Sequence, residues 1–484
     1  MEKITLNYIL TILRMGIGAI SLLIMTPYIN RVLLPSTIGE VEYLQSIVAY
    51  FAMFTSLGIP VYGMREIAKY RFNIRDRSIF ILEIGIFLLL STILGYICLI
   101  ILVNVFDIKF NKILFLIISV WIFLNNIGFE WVYRGLEEQS YITKRNVAVK
   151  IFAILLLFIL VRNSNDVISY CIIIVILNSG GNIFNLIYLK RYISCKNIKL
   201  YDIHIEKHLK PILFAFISSV GATISSQIDI IMLGKINTEL VAYYSLPVKL
   251  VQLLLTIIIS FGTVLVPRAC SLLAEGNRQE YIKNMNRGIN YIFLLSVPLS
   301  MFIFILAKPI ILVFGGAKFI DSVLTLKILC IYLFFAGINN FLGFQLLFLH
   351  GLEKYYSFAT ILSSIINIIL NYFFIVNYKQ NGAAIATVFT ELFSGLLLLY
   401  FSRNLLKELM FFHSDNLKYF ISSIICSLIL YISTLLVKNF IILFVFVLLL
   451  GNMYILILIF LREELSRNGM RLIQKIVSNY LKHR

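Results

Sequence analysis

Charge is scarce in this chain of 484 residues. Only 14% of them are Asp, Glu, Lys or Arg, where a soluble domain carries about a quarter. With 60% hydrophobic residues and a mean hydropathy of +0.93, there is too little polar side chain to cover a water-soluble globule. Lipid must cover the apolar surface. Acidic residues are the scarcer sign, 24 against 42 Lys and Arg. The resulting net charge of +18 excludes nucleic acid as the simplest partner, because the basic residues sit in short loops between apolar runs, as they do on the cytoplasmic side of membrane proteins.

Other absences narrow the function. None of the six cysteines forms a CxxC pair, and Cys98, Cys171, Cys195, Cys270, Cys330 and Cys426 fall in spans or cytoplasmic loops. They read as structural thiols, with no metal site and no disulfide framework. No GxxxxGK[ST] phosphate loop occurs, so the chain is not itself an ATPase. His204 and His208 stand one helical turn apart, but not in the HExxH order of a zinc protease. They read as part of a solvated amphipathic linker. The aromatics sit where lipid-facing surface explains them, so no cofactor is expected. A signal peptide is absent too, because the first apolar run is too long for its core and no small-residue cleavage site follows.

Long apolar runs are what the chain has in quantity. About 20 apolar residues cross the hydrocarbon core, and spans are read at 8–30, 41–63, 79–103, 113–133, 147–161, 167–189, 212–233, 241–266, 288–307, 323–349, 357–377, 383–401, 419–437 and 440–461. The fifth is short and should extend into its flanks. The ninth ends near Lys308 and Pro309, although apolar residues continue beyond. With the N-terminus inside, cytoplasmic segments hold 29 of the 42 basic residues and outer loops hold nine. That asymmetry places both termini in the cytoplasm. The outer loops are short, which leaves no room for a large outer domain.

An internal repeat follows a six-helix shift. Asn125, Asn126, Gly128, Phe129, Gly135, Leu136 and Glu137 match Asn339, Asn340, Gly343, Phe344, Gly351, Leu352 and Glu353. Val41 and Tyr43 match Val241 and Tyr243 more weakly. An even shift keeps both copies in one direction, so the expected fold is all-α. It has two six-helix lobes, 1–195 and 196–405, related by a pseudo-two-fold along the membrane normal with a cavity between them. A C-terminal helix pair and a basic tail, 406–484, complete about fourteen transmembrane helices.

Charges inside spans cost roughly 2.5–3.5 kcal/mol each at a helix centre, and eight are read there: Arg14, Glu83, Glu130, Lys150, Asp229, Lys249, Lys327 and Glu391. Glu83, Glu130, Lys150 and Lys327 lie near helix ends, where snorkelling is the plainer reading. Arg14, Lys249 and Glu391 lie deeper, so they are cavity candidates for substrate, with Asp229 balanced between that role and a structural one. Asp229, Glu130 and Glu391 are candidate coupling carboxylates. Pro247, two residues before Lys249, is a candidate hinge because it frees the carbonyl of Tyr243. Gly16, Gly18, Gly180 and Gly181 permit either bending or close packing.

Several stretches resemble one family. Arg31, Leu33, Pro35 and Gly39 follow its R-x-L-x-P-x-x-x-G turn. Gly58, Pro60, Gly63, Arg65 and Ala68 resemble its second-helix exit, and Trp131, Arg134, Gly135, Tyr141, Arg145 and Asn146 its fourth-to-fifth-helix loop. Asp229, Gly234, Val241, Tyr243, Pro247 and Lys249 resemble its seventh and eighth helices. The family is the bacterial polysaccharide, or O-antigen-type, lipid-linked oligosaccharide flippases of the multidrug/oligosaccharidyl-lipid/polysaccharide exporter superfamily. The resemblance implies a location in the bacterial inner membrane and alternating access. It implies an undecaprenyl-diphosphate-linked glycan as substrate, for O-antigen or capsule assembly. A cavity lined by helices one, two, seven and eight would hold Arg14, Asp229 and Lys249, but not Glu391. Membrane lipids, a proton or Na⁺ counter-ion and a polysaccharide polymerase are the implied partners. The alternatives are a multidrug or metabolite exporter of the same superfamily, and an integral-membrane glycosyltransferase or polymerase. The latter usually carry a large outer loop that this chain lacks.

Overall fold

A computed structural model describes residues 2–105, 111–194, 198–409, 415–437, 439–463 and 465–467. Cys195 and the basic tail beyond 467 lie outside the described residues. All regular structure among the described residues is helical. The helices are α1 (Glu2–Val32), α2 (Pro35–Ser56), α3 (Ile59–Ile67), α4 (Ile74–Val105), α5 (Lys112–Ile127), α6 (Glu130–Gly135), α7 (Gln139–Leu160), α8 (Val167–Val175), α9 (Gly181–Leu189), α10 (Glu206–Ile236), α11 (Thr238–Ala274), α12 (Arg278–Phe314), α13 (Ser322–Asn340), α14 (Glu353–Leu406), α15 (Asp415–Leu436) and α16 (Phe440–Phe460).

Nine helical runs among the described residues are long and apolar enough to cross a membrane, or ten if the bent pair α2–α3 is one span. One of the nine, α14, is 54 residues long and is broken at Lys379, where φ is 51°. It thus carries the two apolar runs read at 357–377 and 383–401. The polar-interrupted helices α1, α7 and α10 are 31, 22 and 31 residues long, and at 1.5 Å per residue even the shortest reaches about 33 Å. Length therefore admits them as spans, although they are not among those nine. The fifth span does extend into its flank, since α7 starts at Gln139. The ninth continues through Pro309 to Phe314.

The chain forms two compact units, one of Met1–Ala242 with Phe314–Lys318, the other of Tyr243–Val313 with Phe319–Arg484. In the first unit α2 packs against α4, α5 and α10, α3 against α6, and α1 against α7. Small residues set these approaches. A Cβ on Gly58 would stand 2.5 Å from the Ala215 backbone, and one on Gly63 would stand 2.7 Å from the Trp131 ring. Gly58 also takes φ 73° at the break between α2 and α3, a region that favours glycine. The 314–318 segment joins this unit through the Asn30 amide, which donates to the Phe314 carbonyl at 2.9 Å.

Two spans are broken rather than straight. Leu57, at φ 47°, separates α2 from α3, and Phe129, at φ 42°, separates α5 from α6. A π-helical turn, Ile176–Gly180, joins α8 to α9. Such turns widen a helix locally and accompany functional sites. The breaks and the turn are neighbours of the cavity described below.

In the second unit α13 packs on α14, and α15 on α16. Tyr454 donates to the Leu294 carbonyl at 3.1 Å and ties α16 to α12. The tyrosine Tyr419 donates to Glu463 at 2.7 Å across the C-terminal pair. Leu448 and Leu456 are exposed, as expected of a helix facing lipid. The two copies of the repeat differ in backbone. Gly351, at φ 71°, precedes α14, whereas its match Gly135 ends α6 and the positive φ falls two residues later, at Glu137 (62°). Upstream, the first copy is broken at Phe129 and the second runs on as a π-helix, Phe341–Leu347.

Candidate functional site

The first unit holds a half-open cavity of about 510 Å³, lined mainly by α3, α5, α6, α7, the π turn and α9. Its charged walls are Arg134, Arg145, Lys150 and Glu130. Five asparagines line it as well, Asn125, Asn126, Asn146, Asn178 and Asn182, and Trp131 closes one side. Three cations against one carboxylate leave two positive charges. The volume lies within the usual 300–1,000 Å³ range of ligand sites, while the lining is far more polar than is usual.

Glu130 is the hub. It opens α6 immediately after the Phe129 break, so the carboxylate rides on a six-residue helix. Its Oε1 accepts from Arg134 Nε at 3.0 Å and Nη2 at 2.6 Å. Its Oε2 accepts from Arg145 Nη2 at 2.9 Å. The same Arg145 nitrogen donates to Asn146 Oδ1 at 2.8 Å. The Arg145 side chain is only 5% exposed, yet its Nε and Nη1 have no partner among the described residues. A buried unpaired donor is expensive, which makes this arginine the strongest unmet demand in the cavity. Gly181 is what admits it, because a Cβ there would lie 2.9 Å from Arg145 Nε. Lys150 reaches α1, its Nζ standing 3.0 Å from where a Gly18 Cβ would be.

Arg14 joins this group through the field. It is half-buried on α1 and interacts electrostatically with Arg134, Glu130 and Arg145, and Lys150 interacts with it in turn. Of the sequence candidates, then, Arg14 and Glu130 fall together with Lys150. Asp229 is buried in the same unit, on α10, where it interacts electrostatically with Tyr50 of α2. Lys249 and Pro247 lie on α11 in the second unit, within an unbroken helix. Glu391, also in the second unit, accepts from Asn339 Nδ2 at 2.9 Å, while that same nitrogen donates to the Glu391 carbonyl at 2.7 Å.

Two of the near-end charges, Glu83 and Lys327, have partners away from the cavity. Glu83 is 1% exposed, so it does not snorkel. It accepts from Lys207 Nζ at 2.8 Å and the His204 backbone N–H at 2.8 Å, and it pairs with His208 Nε2 at 2.9 Å. The other ring nitrogen of His208 meets the Tyr62 hydroxyl at 2.7 Å. The solvated linker expected around His204 and His208 is therefore corrected at His208, which is 4% exposed. This cluster fastens the start of α10 to α3 and α4. Lys327 lies over the Phe304 ring at 5.3 Å, a cation–π arrangement, and Lys150 is in the cavity wall. Sequence reasoning had no direct signal for Arg145 as a lining residue, because it fell in a loop ahead of the fifth span.

Known proteins share this architecture. The polysaccharide biosynthesis protein family model matches residues 4–273, and that of the lipid II flippase MurJ matches residues 145–454. A candidate O-antigen transporter of Escherichia coli (strain K12) is 23% identical over 390 residues, 78% of this chain and 91% of that protein. Its counterpart in Shigella dysenteriae is 23% identical over 399 residues, 81% of this chain and 98% of that protein. The structure of lipid II flippase MurJ in an inward closed conformation superposes with a TM-score of 0.70 at 19% identity, covering 95% of this chain and 99% of that one. An inward-facing multidrug resistance MATE family transporter of the MOP superfamily gives 0.62 at 16% identity, covering 84% and 96%. At those identities the structural likeness speaks for the fold alone. The two family models each match more than half of the chain, and on them this chain belongs to the polysaccharide biosynthesis and MurJ-type families of lipid-linked glycan flippases, which are membrane transporters and not enzymes.

Proposed function

We propose that the protein moves undecaprenyl-diphosphate-linked oligosaccharide repeat units from the inner to the outer leaflet of the bacterial cytoplasmic membrane, for O-antigen or capsule assembly. The basic cavity of the first unit supports this reading best. A diphosphate-sugar cannot cross hydrocarbon unaided, because its charges and hydroxyls would lose their water. Guanidinium groups replace that water through charge-assisted, forked hydrogen bonds to phosphate oxygens. A unit charge held about 4 Å from one guanidinium gains about 4 kcal/mol at an effective dielectric near 20. The asparagines suit sugar hydroxyls, since each offers both a donor and an acceptor. The polyprenyl tail stays in lipid throughout.

Transport proceeds by alternating access of two six-helix lobes, 1–195 and 196–405, with Pro247 as a hinge and 406–484 as an appendage. Arg14, Lys249, Asp229 and Glu391 serve the substrate path. A proton or Na⁺ gradient drives the cycle through Asp229, Glu130 or Glu391. Both termini face the cytoplasm, as the basic-residue asymmetry supports, and a polysaccharide polymerase receives the product outside. Deletion of the gene tests the reading. Lipid-linked oligosaccharide should accumulate while surface glycan disappears, and the intact gene should restore both. The fold-level likeness to a multidrug transporter supports a second reading, an exporter of drugs or metabolites. Normal glycan display together with raised drug sensitivity after deletion would favour that one.

A further inference from the structure

We infer that Glu130 holds the place of an anionic ligand in the first unit's cavity, and that a diphosphate group enters by displacing its carboxylate from Arg134 and Arg145. This rests on the transport reading above and names the residue that gates the site. Both carboxylate oxygens of Glu130 are engaged by guanidinium groups, three bonds in all, at 2.6–3.0 Å. A phosphate presents the same forked acceptor pattern with more oxygens and more charge.

The cavity has donors that Glu130 cannot satisfy. Arg145 Nε and Nη1 and Trp131 Nε1 are buried without partners among the described residues, and both side chains line the cavity. The Asn126 Oδ1 acceptor is also unpaired, so the surplus is mainly, not wholly, of donors. One carboxylate faces the three lining cations, with Arg14 adding to the positive field. Exchange of one negative charge for the two or more of a diphosphate therefore brings the site closer to neutrality. The carboxylate is also placed to leave. It sits on the six-residue helix that follows the Phe129 break, at φ 42°.

The test uses the full-length protein in detergent with Trp121→Phe in the background, which leaves Trp131, at the cavity wall, as the sole tryptophan of the two in the chain. Its fluorescence is titrated with inorganic pyrophosphate and, separately, with farnesyl diphosphate. Glu130→Gln should tighten binding about tenfold, because an internal competitor has been removed. Glu130→Asp, which keeps the charge but shortens the reach to both arginines, is the second variant should Glu130→Gln not fold, and it should tighten binding by a smaller factor. Arg145→Gln should weaken binding at least tenfold in either background. A response to both probes assigns the site to a lipid-borne diphosphate, and a response to pyrophosphate alone assigns it to a free anion. Both outcomes uphold the exchange. Unchanged or weaker affinity in Glu130→Gln or Glu130→Asp, or no response to either probe, overturns it. Normal glycan display by the parent chain in cells alongside such a result would sink this inference alone and leave the transport reading standing.

Discussion

Arg145 carries two of the buried, unpartnered donors in the first unit's cavity. It is nearly inaccessible, it shares Glu130 with Arg134, and two of its nitrogens await an acceptor. Arg145→Gln should reduce surface glycan at least tenfold while leaving the protein in the membrane, read by glycan staining against an immunoblot. Arg14→Ala should impair display in the same assay, and full display would remove Arg14 from the path. Glu83 predicts a different phenotype. Its loss leaves the half-exposed Lys207 and the buried His208 without their shared carboxylate, and an unpaired buried polar group costs about 1–3 kcal/mol. Glu83→Ala should therefore lower the thermal unfolding midpoint in detergent, whereas unaltered melting would mean the cluster holds nothing together. Arg14 and Glu130 were legible in the sequence because a charge in an apolar run has to be explained. Arg145 was less so. Polar residues on an interior wall shorten the apolar run, which pushed the predicted start of the fifth helix past Arg145 to 147, whereas α7 begins at Gln139.

At the scale of elements, the helix breaks decide where the cavity is. The α2–α3 break at Gly58 admits α10, the α5–α6 break at Phe129 carries Glu130, and the π turn before Gly181 brings α9 against Arg145. Glycines therefore divide into two kinds that sequence alone does not separate. Gly181→Ala should act like a loss of Arg145, since its Cβ would press on Nε at 2.9 Å. Gly16→Ala should be silent, because nothing among the described residues lies within 4 Å of the added methyl. Equal display by both variants would contradict the packing account. Hydropathy located the long runs well, including the pair on either side of Lys379, because burial in lipid is a property of about 20 residues together. It could not locate the breaks, which depend on single residues accepting positive φ under tertiary packing. Leu57 and Phe129 carry no local signature of that conformation, since it is uncommon outside glycine, asparagine and aspartate.

At the scale of the molecule, the class is legible in the amino-acid sequence alone. Scarce charge requires a membrane, and the order of short motifs supplies the family to which the two models assign the chain. Neither composition nor periodicity points to a charged cavity inside the first unit, because its lining residues come from several helices and run from Ser56 to Asn182. The proposed role is to carry a diphosphate-linked glycan across the bilayer, with Arg145 essential to the passage. The most direct measurement reconstitutes the purified chain in liposomes with a fluorescent short-chain prenyl-diphosphate oligosaccharide, an imposed proton or Na⁺ gradient, and a membrane-impermeant quencher that reports the leaflet. The wild-type chain should equilibrate or concentrate the probe across leaflets well above protein-free liposomes, and Arg145→Gln should not. Equal movement with the wild type, the variant and no protein would contradict it.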